Sequence, residues 1–189
     1  MRLFSAIRIP EEIGKELARL REKIGREPSL PHKVKWVQTQ NLHLTLKFFG
    51  EIEERRLNDL EESLKEAVKS HQEFRYTLKG LGAFPNAKKA RVLWVGLENP
   101  LNELASLAAS IEKNTSPKGF PPSEKPFSPH LTLARFASPP QPPFLEVTAK
   151  HSQTVFGEAA VDKIELIQGC LSSEGPAYMT IQEFPFRAD

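Results

Sequence analysis

The chain has 189 residues, 39% hydrophobic and 26% charged, with 26 Lys and Arg against 24 Asp and Glu and five His. That is the size of one globular domain, or of two small lobes sharing a core. A formal charge of +2 excludes a strongly basic nucleic-acid coat while leaving room for a local phosphate-binding patch. No run approaches the ~18 apolar residues of a membrane helix. Arg8 and Pro10 break the N-terminal apolar stretch, so it lacks the core of a secretory signal and a cytoplasmic protein is expected. The single cysteine, Cys170, excludes an intrachain disulfide and a thiolate-rich metal site, and is expected to be a small buried thiol.

Leu3, Ile7 and Ile9 predict a first strand that Pro10 ends. Ile13, Leu17, Leu20 and Ile24 recur at helical spacing and predict a helix over 11–25, with acidic residues in its first turn and Gly25 as its stop. After a loop over 26–32 come strands over 34–37 and 42–49. In the second of these Leu42, Leu44 and Leu46 alternate with His43, Thr45 and Lys47, giving one apolar and one chemical face. Leu57, Leu60, Leu64, Ala67 and Val68 make an amphipathic helix within 53–71, with His71 as a dipole-favoured cap. Strands over 74–81 and 91–97 flank a turn-rich segment containing Pro85 and Asn86. Asn99 and Pro100 read as N-cap and first residue of a third helix through Leu101, Leu104, Ala108 and Ile111.

Proline-rich loops over 116–129 and 138–143 enter and leave a strand over 130–136, and both read as ordered connectors or lids. Residues 144–151 show no clear period. Two last strands, 161–171 and 178–186, surround a turn at 173–176. Strands interleaved with only three clear helices point to an α+β fold with antiparallel sheets.

One repeat stands out: His43-Leu44-Thr45-Leu46 recurs as His130-Leu131-Thr132-Leu133, 87 residues later. In each copy the two-residue period puts His and Thr on one face and anchors the leucines on the other. If a pseudo-two-fold axis joins the copies, two imidazoles and two hydroxyls line one cleft. Such imidazoles can divide a phosphodiester hydrolysis between a neutral base and a protonated acid. Threonine hydroxyls can then donate to the non-bridging oxygens. Satisfied polar residues on a strand are the plainer alternative for this pair. A zinc site is not expected, because each motif brings one imidazole and no third ligand at suitable spacing. His32 and His151 fall in irregular segments and read as solvent-facing bystanders.

The paired His-Leu-Thr-Leu motifs resemble those of the 2H phosphoesterases, in particular the RNA 2′,3′-cyclic phosphodiesterase (LigT-like, 2′-5′ RNA ligase) branch. So do Lys35-Trp36-Val37, the run from Asn41 to Gly50, Ala83-Phe84-Pro85-Asn86, the run from Arg91 to Gly96, Pro129 to Arg135, and Gly175-Pro176-Ala177-Tyr178. The resemblance spans essentially the whole chain. It implies an α+β, bilobal fold: one domain over 1–189, with two pseudo-symmetric antiparallel sheets backed by helices around a central cleft. It implies metal-independent and cofactor-free opening of an RNA-terminal 2′,3′-cyclic phosphate to a 2′-phosphate, and 2′-5′ joining of tRNA halves with a 5′-hydroxyl in place of water.

By the same resemblance His43 and His130 are the catalytic pair, His43 protonating the departing O3′ and His130 activating water. Thr45 and Thr132 bind the phosphate, Phe48 stacks on a nucleobase and Arg135 contacts phosphate or nucleobase. Strict alternation conflicts with the last two assignments, since it puts Lys47 and Phe49 on the face of His43 and turns Phe48 away, and leaves Arg135 out of phase with His130. A bulge near each strand end would re-aim both. Lys88, Lys89 and Arg91 read as a solvated turn, with guidance of an RNA backbone as the alternative. The expected partner is RNA ending in a 2′,3′-cyclic phosphate, tRNA fragments included, with no membrane and a monomeric protein. Other readings are a phosphodiesterase of the same superfamily acting on 2′-5′ oligoadenylate or a small cyclic-phosphate metabolite, and a non-catalytic module that binds RNA ends.

Overall fold

A computed structural model describes residues 1–31, 34–141, 144–172 and 175–187. The elements are β1 (Arg2–Arg8), α1 (Glu11–Gly25), β2 (Val34–Trp36), β3 (His43–Glu51), α2 (Leu57–Val68), β4 (Phe74–Phe84), β5 (Val92–Glu98), α3 (Glu103–Thr115), β6 (His130–Phe136), α4 (Phe144–Lys150), β7 (Val155–Val161), β8 (Lys163–Ser172) and β9 (Gly175–Pro185). The strands run antiparallel in the order β7-β4-β5-β6-β3-β1-β8-β9, with β2 added on β6. The midpoint of this order falls between β6 and β3, the two strands that carry the repeated motif. There the described ladder narrows to a single pair, Leu44 with Leu131. The two expected sheets are thus halves of one sheet joined at that pair.

Helices cover one face of each half, and the chain interleaves them. α1 follows β1 but packs against β7 in the other half, while α2 and α3 pack on each other and reach β9 and β3. Leu44 and Leu131 are 1% and 0% exposed, and one continuous core runs beneath both halves from Leu3 and Leu17 through Leu60 to Leu93 and Phe144. No described helix is long and apolar enough to cross a membrane.

The structure corrects several local expectations. The expected strand over 161–171 is β8, and a further strand, β7, precedes it and ends at Val161. Sequence reading missed β7 because it is an edge strand with little alternation: Val155 is 59% exposed and Gly157 has a φ of 151°. A Cβ there would lie 3.0 Å from Ile13 of α1. The stretch over 144–151 folds as the fourth helix, α4. α3 begins at Glu103 because Asn99 to Asn102 first form a turn, with Asn102 left-handed at φ 60°. Asn99 nevertheless caps it, its Oδ1 accepting from the Leu104 N–H at 3.1 Å.

His71 is no charged cap: its Nε2 meets Ser110 Oγ at 2.9 Å, and burial lowers its pKa below 6.5, disfavouring the cation. Cys170 is exposed rather than buried. His151 is half-buried against Thr154 and Phe156. His32, with Ser173 and Glu174 of the expected turn, lies outside the described residues.

Candidate active site

Each motif strand carries a bulge one residue beyond its threonine, at the same place in the repeat, and β3 carries a second at Phe49. Against β1, Thr45 pairs with Ala6 and Lys47 with Ser5, so Leu46 is the extra residue. Against β5, Thr132 pairs with Trp94 and Ala134 with Leu93, so Leu133 is the extra residue. A bulge reverses the phase of the alternation beyond it. Leu46 and Lys47 are therefore both buried and Phe48 emerges on the face of His43 and Thr45, 60% exposed. Leu133 and Ala134 are likewise both buried, and Arg135 emerges on the face of His130 and Thr132. Lys47 is turned to the helical side, contrary to strict alternation, where its Nζ donates to Glu112 of α3 at 2.6 Å and to Thr115 at 2.9 Å.

The Leu44–Leu131 pair fixes how the motifs meet. In an antiparallel register the residues flanking that pair lie diagonally matched, so His43 neighbours Thr132 and Thr45 neighbours His130. Each imidazole is thus set beside the hydroxyl of the opposite half. Both rings are held the same way: His43 Nδ1 donates to the Asn41 carbonyl at 2.7 Å, and His130 Nδ1 donates to the Ser128 carbonyl at 2.7 Å. A carbonyl only accepts, so Nδ1 carries the proton and Nε2 of each neutral ring is left as a base.

Aromatic rings wall both imidazoles. His43 lies 4.9 Å from Phe4 and 5.1 Å from Tyr178, edge-on to the latter, and Phe48 packs on Phe4 at 5.5 Å. His130 lies edge-on to Phe84 at 4.9 Å and 6.4 Å from Trp94. Sequence reading did not select these walls, because apolar residues of strands in register with the motifs look like ordinary core residues. Nor did it select Arg8, which pairs with His43 in the ladder. Arg8 donates to Glu165 at 3.1 Å and to Thr180 at 3.2 Å, and Thr180 donates to Glu165 at 2.6 Å. The matching position beside His130 is Gly96, so the halves differ here.

Burial is the main cause that holds the His43 pKa below 6.5. The Asn41 carbonyl and Glu165 oppose it, and the guanidinium groups of Arg8 and Arg135 add to it. Arg135, on the β6 half, therefore acts electrostatically across the divide on His43. Among the described residues no three His, Cys, Asp or Glu side chains come together as a metal site.

Gly82 has a steric reason to lack a side chain. A Cβ built on it would stand 2.1 Å from a carbon of the Trp94 indole, which lies flat over this residue of β4. Gly82→Ala must displace that indole, whose ring neighbours are Phe84 and His130. We expect a loss of about 1–3 kcal/mol in stability from overpacking, together with a shifted tryptophan emission spectrum. An unchanged melting temperature and spectrum would show that the indole has room to move.

A duplicated His-x-Thr strand pair lies side by side on one antiparallel sheet, each ring with Nδ1 held by a carbonyl, in a protein built from two related halves. Comparison with known proteins agrees. The family described as LigT-like phosphoesterase matches the chain twice, over residues 7–94 and 95–178, and the chain belongs to this family, the 2H phosphoesterases. Among its relatives, the RNA 2′,3′-cyclic phosphodiesterase of Aquifex aeolicus is 38% identical over 172 residues, covering 90% of this chain and 92% of the relative. The RNA 2′,3′-cyclic phosphodiesterase of Archaeoglobus fulgidus is 35% identical over 184 residues, covering 97% and 99%. The crystal structure of a Thermus thermophilus protein, TT0787, superposes over the full length of both chains, with a TM-score of 0.83 at 30% identity. That of E. coli LigT complexed with 3′-AMP gives 0.78 at 27% identity, over 99% and 98%.

Proposed function

We propose that the protein opens 2′,3′-cyclic phosphates at RNA ends, leaving a 2′-phosphate and a 3′-hydroxyl, by metal-independent acid–base catalysis with two histidines. The observation that carries this reading is the matched pair of imidazoles. Each is fixed through Nδ1 by a backbone carbonyl two residues upstream and presents Nε2 on the same face as both threonines. The names of the relatives, and the 3′-AMP in the E. coli structure, support a substrate of this kind.

Water attacks phosphorus and gives its proton to His130 Nε2, the P–O3′ bond breaks, and O3′ takes a proton from His43 Nε2. Thr45 and Thr132 donate to the non-bridging oxygens, where negative charge builds. Phe48 stacks on the terminal base, and Arg135 binds phosphate or base. The acid role requires a His43 cation that burial disfavours, and the bound phosphodiester anion is the counter-charge that restores it. The same steps with a 5′-hydroxyl in place of water form a 2′-5′ linkage: the 5′ oxygen attacks phosphorus and gives its proton to His130, and the P–O3′ bond breaks. On this reading the chain acts as one bilobal domain, a cytoplasmic monomer without a cofactor, on RNA that includes tRNA fragments.

The test is phosphorus NMR of an oligonucleotide ending in a 2′,3′-cyclic phosphate, incubated with the protein in EDTA. Conversion to a 2′-phosphate is the expected result. A 3′-phosphate would reverse the scissile bond. Conversion only with added divalent metal would end the metal-independent mechanism, and no conversion at all would end this choice of substrate.

A further inference from the structure

We propose that Lys35 joins Arg135 in a second phosphate subsite, which holds the backbone phosphate next to the cyclic phosphate and so favours oligonucleotide ends over mononucleotides. The subsite rests on the cyclic-phosphodiesterase reading of the cleft. β2 is only three residues long, and it pairs with the far end of β6, placing Lys35 directly opposite Arg135. Its flanking residues Val34 and Trp36 pair with Phe136 and Ala134 and pack against the core, so Lys35 points to the other face, the one that carries His130 and Thr132.

The bulge at Leu133 brings Arg135 to that face as well. Two cations then stand opposite each other across a ladder, an arrangement that repels. Among the described residues neither has an ion-pair partner. An anion between them removes the repulsion and makes a charge-assisted bond to each.

Position selects which anion. Arg135 lies three residues beyond Thr132, roughly 10 Å along the strand at 3.3 Å per residue. Their long side chains can span what remains of one nucleotide step. The β3 half has no equivalent among the described residues: Phe48 stands where Arg135 does, and no strand is paired there as β2 is. The pair of cations therefore gives the cleft a direction, with the single-stranded RNA leaving across β2.

The test compares kcat/KM for a nucleoside 2′,3′-cyclic phosphate, which has one phosphate, with that for a trinucleotide ending in the same group. Lys35→Gln is expected to lower the trinucleotide value about fivefold at low salt and to leave the mononucleotide value unchanged. It should also flatten the slope of log(kcat/KM) against log[salt] for the trinucleotide by about 0.7. Lys35→Arg should keep the wild-type preference. Equal losses on both substrates, or no loss on either, overturn the subsite. Wild-type turnover of either substrate decides the underlying reading by itself. If the wild type opens neither substrate, both are overturned.

Discussion

Replacing His130 with Ala is expected to lower turnover of a cyclic-phosphate RNA end by about 10²–10⁴-fold, and His43→Ala by a similar factor, with the fold intact. Both rings sit at the divide between β3 and β6, half-exposed, and each makes one anchoring hydrogen bond to a local carbonyl. Neither supports the core as Leu44 and Leu131 do. Because the two act in one transition state, the double variant should be little slower than either single one. The two roles then separate by leaving group. When sulfur replaces the bridging O3′, the departing thiolate needs no proton. His43→Ala should then recover most of its lost rate while His130→Ala stays slow. The opposite pattern would exchange the roles, and wild-type turnover in either variant would remove that histidine from the mechanism.

The alternation over 42–46 was legible in the sequence because two leucines and the His-Thr pair obey one period, and the same holds for 130–133. The repeat pointed to a meeting of its two copies, and the Leu44–Leu131 pair brings their strands edge to edge in one sheet rather than face to face. What could not be read was the phase beyond Thr45 and Thr132. A bulge is decided by the neighbouring strand, here β1 or β5, and nothing in Leu46-Lys47 or Leu133-Ala134 announces an extra residue. Lys47 shows the consequence: a lysine in a strand reads as solvent-facing, yet its side chain is fully buried. Arg8 and Lys35 were hidden for a related reason, since their importance comes from cross-strand register with His43 and Arg135, over more than thirty residues of sequence in the first case and about a hundred in the second. The helix over 11–25 was read to the residue, because its apolar period, acidic first turn and terminal Gly25 all act locally.

Glu112 joins the two motif strands through α3, and Glu112→Ala is expected to cost about 3 kcal/mol of stability. Its Oε2 accepts from Lys47 of β3, while its Oε1 accepts from the Ser123 amide at 3.0 Å and from the Ser123 hydroxyl, in the loop that leads to His130. Lys47 is fully buried and Glu112 is 30% exposed, so truncation leaves a buried ammonium with only Thr115 as its hydrogen-bond acceptor among the described residues. That places the cost at the low end for a broken buried pair.

The pH dependence of this cost has a definite sign. Burial alone would raise the Glu112 pKa, but hydrogen bonds from Lys47 and Ser123 and the Lys47 charge outweigh it, and the carboxyl is held below 4.5. Its stabilising contribution is therefore present above the unfolded value and is lost as pH falls through the lower folded value. In urea melts the gap between wild type and Glu112→Gln should be full at neutral pH and close on the acidic side of 4.5. A gap that stays constant to low pH would mean that the charge of Glu112 contributes nothing and that only its shape matters. The Glu112→Gln variant also tests the tether. With the loop before Ser128 loosened, the carbonyl that orients His130 is less well placed, so kcat should fall while KM for a mononucleotide cyclic phosphate stays near the wild-type value. An unchanged kcat would confine Glu112 to stability.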